Sequence, residues 1–144
     1  EGNRPDTNFQ YYDDEDCMEQ LARLVDIYTM LAPYTKTLVA ENAAKGTPVM
    51  RPLFLHYEDD PRSYTEQFEY LYGPDLLVAP VWQSGKTEWE VYLPSDEWVH
   101  LWTGKAYGKG THTVPAAMGD IPVFCRKGSR WTELFDSIRA KYGK

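Results

Sequence analysis

A chain of 144 residues with 42% hydrophobic side chains can bury one core, or one core and a satellite, which excludes a disordered segment and a multidomain array. A net charge of −7, a pI near 4.9 and basic residues interspersed among acids leave no basic face to neutralise a phosphate backbone, so nucleic acid is not expected as a partner. The 15% of aromatic residues, with five Trp and eleven Tyr, suit sheet faces and cores first and stacking on sugar rings second.

Residues 1–12 carry Gly, Pro, two Asn and Asp before any periodicity begins, which is loop composition. The opening Glu1-Gly2-Asn3-Arg4-Pro5-Asp6, with no Met, reads as mid-protein sequence, so the chain is expected to be a C-terminal piece of something larger. Asp13-Asp14-Glu15-Asp16 then stands directly ahead of an amphipathic run, where carboxylates cap free amides and oppose the positive end of a helix dipole. A calcium loop would need Asp-x-Asp-x-Asp-Gly and a closing Glu, and both are absent. Met18, Leu21, Leu24, Val25, Tyr28, Leu31 and Ala32 recur at helical spacing and predict a stripe facing a sheet. Pro33 is expected to end or kink that helix, while Tyr34, Leu38, Val39 and Ala43 continue the period to a stop at Gly46.

The stretch 47–57 is short and mostly apolar, which predicts a buried strand interrupted by Arg51, a cation that must be paired inside or placed near an anion. A turn at 58–61 leads to a predicted short helix over 63–70, with Ser63 as its cap and Glu66 at capping-box spacing. Gly73-Pro74-Asp75 marks the change of architecture, and Leu76 to Val81 reads as a strand buried on both faces. Segments 87–94, 97–102, 111–116 and 121–126 alternate between turn signals and predict an antiparallel sandwich or small barrel, closed by an amphipathic helix over 131–139.

Chemistry is sparse. Cys17 and Cys125 lie far apart, with no Cys-x-x-Cys pair and no glycosylation sequon, so neither a zinc ribbon nor a secreted disulfide scaffold is indicated, and a reducing, cytoplasmic compartment is expected. No apolar run approaches membrane-spanning length, so no membrane partner is expected. His56, His100 and His112 form no metal-binding pattern, and no cofactor is implied. Residues 104–111 resemble a phosphate loop only in composition and read as a hairpin loop, and no Gly-x-Ser-x-Gly exists. The residues alone give a helix–strand segment joined to a β-domain, and no reaction.

Ordered blocks add to this. Glu1-Gly2-Asn3-Arg4-Pro5, Leu31-Ala32-Pro33-Tyr34, Pro48 to Phe54, Tyr72-Gly73-Pro74-Asp75-Leu76-Leu77-Val78-Ala79-Pro80-Val81, Tyr92-Leu93-Pro94, Trp102-Thr103-Gly104 and Ile121-Pro122-Val123-Phe124 resemble the C-terminal part of the family thirty-one glycoside hydrolases. The first block and Trp82-Gln83-x-Gly85-Lys86-Thr87-Glu88-Trp89 most resemble bacterial members that cleave α-linked sulfoquinovosides. The resemblance implies an α/β plus all-β fold: residues 1–70 as the last units of a (β/α)8 TIM barrel with Val49 to Leu55 as its final strand, 71–129 as a proximal β-sandwich, and 130–144 as a C-terminal helix. It also implies retaining hydrolysis by two carboxylates upstream of Glu1, so that no catalytic residue lies in this chain. Glu1 and Arg4 would be the residues nearest the substrate, an α-glycoside, and the main partner would be the missing N-terminal part of the same polypeptide. The alternatives are a general α-glucosidase or α-xylosidase of the same family, or a non-catalytic carbohydrate-binding module with Trp82, Trp89, Trp98 and Trp102 as a stacking platform.

Overall fold

The computed structural model describes residues 8–144 in two compact units that divide between Ala32 and Pro33. In the first, a 3-10 turn at Tyr11–Asp13 leads into helix α1, Glu15–Met30. Asp14 caps α1, its Oδ1 accepting the Cys17 amide at 2.8 Å, with Glu15 and Asp16 in the first turn. The acidic run therefore serves the helix end, as its position predicted. Along α1, Leu21, Leu24, Val25 and Tyr28 are 41–70% exposed, and Ile27 is its one buried residue.

Helix α2, Ala32–Lys45, takes Pro33 into its first turn. The proline thus opens the second helix instead of ending the first, because a first-turn residue needs no amide hydrogen and φ near −65° suits a helix. Strand β1 is only Met50–Arg51, and Leu53–Leu55 turns into a 3-10 helix. The buried strand expected over 47–57 is therefore corrected. Pro48 and Pro52 flank it, and neither can donate to a ladder, so pairing is confined to the two residues between. The helix expected over 63–70 shrinks to a 3-10 turn, Pro61–Tyr64, capped by Asp60, whose Oδ1 accepts the Arg62 amide at 3.1 Å. Ser63 is buried inside that turn instead of capping it, its hydroxyl shared between the carbonyls of Tyr57 and Asp60.

The remaining strands are β2, Tyr70–Tyr72, β3, Leu76–Val78, β4, Glu88–Leu93, β5, Trp98–His100, β6, Ala106–Tyr107, β7, Gly110–Pro115, and β8, Val123–Arg126. They make a six-stranded sheet in the order β1-β2-β3-β8-β5-β6 and a two-stranded sheet of β4 and β7. All pairings are antiparallel. Strand β6 lies inside the segment expected to be a hairpin loop, where Tyr107 pairs with Trp98. Leu71, Leu77, Trp98 and Phe124 from the larger sheet meet Val91, Leu93 and Val114 from the smaller, and this apolar layer is the core of a β-sandwich. Helix α3, Thr132–Tyr142, closes the unit with Phe135 and Ile138 buried.

Gly73 shows how the seam is fixed. It sits at φ +62°, and a Cβ there would collide with the Tyr34 hydroxyl and come within 2.6 and 2.8 Å of the Leu38 methyls. Tyr34 in turn donates to the Tyr72 carbonyl at 2.7 Å and accepts the Asp75 amide at 3.2 Å, tying α2 to the β2–β3 turn. Burial holds the Tyr34 hydroxyl protonated far above the usual phenol range.

Candidate functional site

Arg51 is the buried cation that the sequence singled out, and at 2% exposure it is paired inside. Its Nη2 donates to Glu41 Oε2 at 2.6 Å, its Nε to the Pro48 carbonyl at 2.6 Å, and its Nη1 meets His56 Nε2 at 3.0 Å. With Arg51 donating, His56 is neutral and carries its proton on Nδ1. Desolvation first, then the cations Arg51 and Arg126, hold the imidazole below its ordinary value, and the Arg51 hydrogen bond holds the Glu41 carboxyl low. The cluster ties α2 to β1 and the 3-10 turn after it; all its strong donors are spent on the protein itself.

A second polar group surrounds Tyr92 on β4. Its hydroxyl donates to Asp60 Oδ2 at 2.5 Å, and its amide donates to Glu69 Oε1 at 2.7 Å. Asp60 also holds Lys109 at 3.0 Å and stays ionised, its carboxyl lowered chiefly by the Tyr92 hydrogen bond. Glu69 differs: it is 7% exposed, its Oε2 has no partner among the described residues, and desolvation pushes it up to about 8. Nothing in the chain order marks Glu69, because Thr65 to Tyr70 reads as helix and a glutamate there reads as solvated.

The four-tryptophan platform does not exist. Trp98 and Trp102 are buried at 0% and 5% exposure, with their indole N–H groups donating to the carbonyls of Pro94 at 3.2 Å and Ile121 at 2.8 Å. Trp82 is exposed and meets Phe68 and Trp89 at 5.3 and 5.9 Å between ring centroids. Phe54 and Tyr64 form a separate exposed stack, 5.2 Å apart and nearly parallel. His100 is buried against Phe124, its Nδ1 2.9 Å from the Thr103 hydroxyl, and burial lowers its basicity. Nε2 of His112 donates to the Gly108 carbonyl at 2.9 Å. Each of the three histidines is thus engaged within the fold.

A cleft of about 710 Å³ is lined by Tyr34, Glu41, Asp75, Arg126, Arg130 and Trp131. Of these, Glu41 is committed to Arg51, and Arg126 donates to the Tyr57 hydroxyl at 2.9 Å and lies 3.4 Å from Asp96. Among the described residues no group of His, Cys, Asp and Glu is arranged to hold a metal ion. Glu1 and Arg4, the two residues expected nearest a substrate, lie outside the described residues. What remains is a scaffold whose polar groups serve its own packing, set beside exposed aromatic surfaces.

An antiparallel β-sandwich entered through the Gly73 seam is the fold, and sequence comparison gives its class. Residues 46–129 match the glycosyl hydrolase family 31 C-terminal domain, and the chain belongs to that family. It is 51% identical over 140 residues to the sulfoquinovosidase of Escherichia coli (strain K12), covering 97% of this chain and 21% of that protein. Against the sulfoquinovosidase of Agrobacterium fabrum it is 50% identical over 141 residues, again covering 21% of the relative. A solved family 31 sulfoquinovosidase from E. rectale, in complex with an aza-sugar inhibitor, superposes with a TM-score of 0.96 at 65% identity, covering 99% of this chain and 21% of that one. The chain thus spans about a fifth of the length of these relatives.

Proposed function

We propose that this chain is the C-terminal portion of a retaining α-glycosidase that hydrolyses α-sulfoquinovosides. The observation that carries the reading is the 65% identity and 0.96 TM-score, over 99% of the chain, to a sulfoquinovosidase structure. α-Xylosidase and isomaltosidase relatives stand further off, at 31–39% identity. In the proposed reaction one carboxylate attacks the anomeric carbon while a second protonates the leaving oxygen, and water then releases the sugar with retention. Both carboxylates belong to the part of the polypeptide that precedes Glu1, as does most of the substrate pocket. Within this chain Glu1 and Arg4, which lie outside the described residues, are proposed as the residues nearest the sugar, with Glu1 as acceptor for a sugar hydroxyl and Arg4 as partner of Asp6 or Asp13.

Helices α1 and α2 are proposed to pack on a (β/α)8 barrel in the part of the polypeptide absent from this chain. The final barrel strand expected at Val49 to Leu55 is corrected, because Met50–Arg51 pairs antiparallel with β2 in the sandwich sheet and Leu53 lies in the sandwich core. Exposed Leu21, Leu24, Val25 and Tyr28 on α1 support the packing on a barrel, since a 16-residue helix gains most of its stability from burying such a stripe. The Phe54–Tyr64 and Phe68–Trp82 surfaces are proposed to seat the same barrel. Two free cysteines and no disulfide support a reducing compartment.

The test is turnover by the full-length protein of aryl α-sulfoquinovoside against aryl α-glucoside. The sulfonated sugar should be preferred by at least about 100-fold in kcat/KM, a floor well under the roughly 10⁴-fold by which a site built to hydrogen-bond a substrate group rejects an analogue lacking it. Equal turnover of both, or no pair of barrel aspartates upstream of Glu1, refutes the reading. The 144-residue chain alone should be inert.

A further inference from the structure

Among the described residues strand β4 pairs on one edge only, with β7, and the amide of Tyr92 points to the other edge. A buried amide on an open edge must find an acceptor, and here it finds a side chain, Glu69, from the residue just ahead of β2. This single bond of 2.7 Å joins the entry of the six-stranded sheet to the edge of the two-stranded one. The carboxyl is buried, accepts only that bond, and leaves Oε2 without a partner among the described residues.

The charges around it oppose ionisation. Burial opposes a carboxylate here most strongly; the Tyr92 amide, which binds a carboxylate better than an acid, works against that but is outweighed, while Glu66 on the same segment and Glu90 on β4 add to the penalty and Arg62 is the one cation that eases it. Arg62 is engaged elsewhere: it donates to the Thr111 hydroxyl at 2.7 Å, lies 3.6 Å from Glu66 and packs 4.4 Å above the Tyr92 ring. Asp60, at the hydroxyl end of the same tyrosine, takes the available ammonium of Lys109. The two carboxyl groups that grip Tyr92 therefore hold different protonation states, one charged and paired, one neutral and apolar in its surroundings. Glu69 also lines an open depression of about 430 Å³ with Met50, Phe54, Tyr64 and Glu66, which gives water a way to the carboxyl.

We propose that Glu69 is a proton-controlled latch: as a neutral acid it holds the open edge of β4 to the segment entering β2, and on losing its proton it turns to water and lets that edge go. The latch stands on this geometry and is independent of the glycosidase reading. Desolvation places its release at about 8. The sign follows from linkage: a carboxyl whose folded value exceeds its unfolded one stabilises fully below the unfolded value, and that stability declines as pH rises to the folded value. Beyond that point the latch is open.

Amide hydrogen exchange at Tyr92, corrected for intrinsic base catalysis, is the test on the full chain. Protection should fall about tenfold per pH unit between the ordinary glutamate value of about 4.3 and about 8, and level off above that, as expected for opening linked to one proton. Glu69→Gln keeps an acceptor but cannot ionise, so its Tyr92 protection should stay flat across the same range. The Glu69 carboxyl carbon resonance in the unaltered chain gives a reading that needs no variant and should titrate near 8. PH-independent protection in the unaltered chain, or a carboxyl resonance titrating in the ordinary glutamate range near 4, overturns the proposal.

Discussion

Replacing Arg51 with Met removes the one cation buried inside the α2–β1 junction while keeping most of its volume. Three acceptors lose their donor: Glu41 at 2.6 Å, the Pro48 carbonyl at 2.6 Å and His56 at 3.0 Å. Breaking a buried ion pair by removing one partner costs about 3–5 kcal/mol, most of it the penalty of stranding the other charge. The Glu41 side chain is 30% exposed and can turn to water, so the loss should fall at the lower end, about 3 kcal/mol. Urea unfolding at neutral pH measures it. The same variant should raise the His56 value toward the ordinary 6.5, because Arg51 is the first of the cations holding it down once desolvation is counted. In the parent, lowering pH through the His range costs stability, since the unfolded chain binds that proton more readily; in Arg51→Met this acid-side loss should shrink. A destabilisation under about 1 kcal/mol with an unmoved His56 titration would show that the cluster is a surface arrangement and not a buried one.

Gly73→Ala should cost about 2–4 kcal/mol, the sum of a left-handed backbone and overpacking against Tyr34 and Leu38, read by thermal unfolding; a neutral result would mean that the seam can widen. Thiol labelling under native conditions should modify half-exposed Cys17 and spare Cys125, whose thiol is buried and pushed up to about 12, until the chain unfolds; simultaneous labelling would contradict that burial. Leu24→Glu in the full-length protein should lower soluble yield and activity together through lost packing of the α1 stripe, whereas an unaffected enzyme would place that stripe in solvent.

Much of the sandwich was legible because strands between turn signals alternate on a fixed period, and the predicted extended segments at 87–94, 97–102, 111–116 and 121–126 each overlap an observed strand. The acidic cap of α1 and the inward pairing of Arg51 were legible for the same reason, that charge next to apolar periodicity has few places to go. The stretch 47–72 was not. Its prolines confine strand pairing to two residues, and Glu69 looks like a solvated helix residue until β4, more than twenty positions later, covers it. Burial of Trp98 and Trp102 agrees with the expectation that the aromatics serve sheet and core first; which alternating positions face inward was not legible, because only the packing of the two sheets decides it. Residue chemistry gave no reaction, and the contacts that family resemblance suggested, Glu1 and Arg4, stand ahead of the described residues.

The split between deep and surface indoles has a spectroscopic corollary. Trp98 and Trp102 sit in dry surroundings and should emit at short wavelength, beyond the reach of iodide, while Trp82 should emit further to the red and be quenched readily. A change in the red component on adding a sugar would therefore report on the surfaces that carry Trp82 and the partly exposed Trp89 and Trp131, and a change in the blue component would signal loosening of the interior.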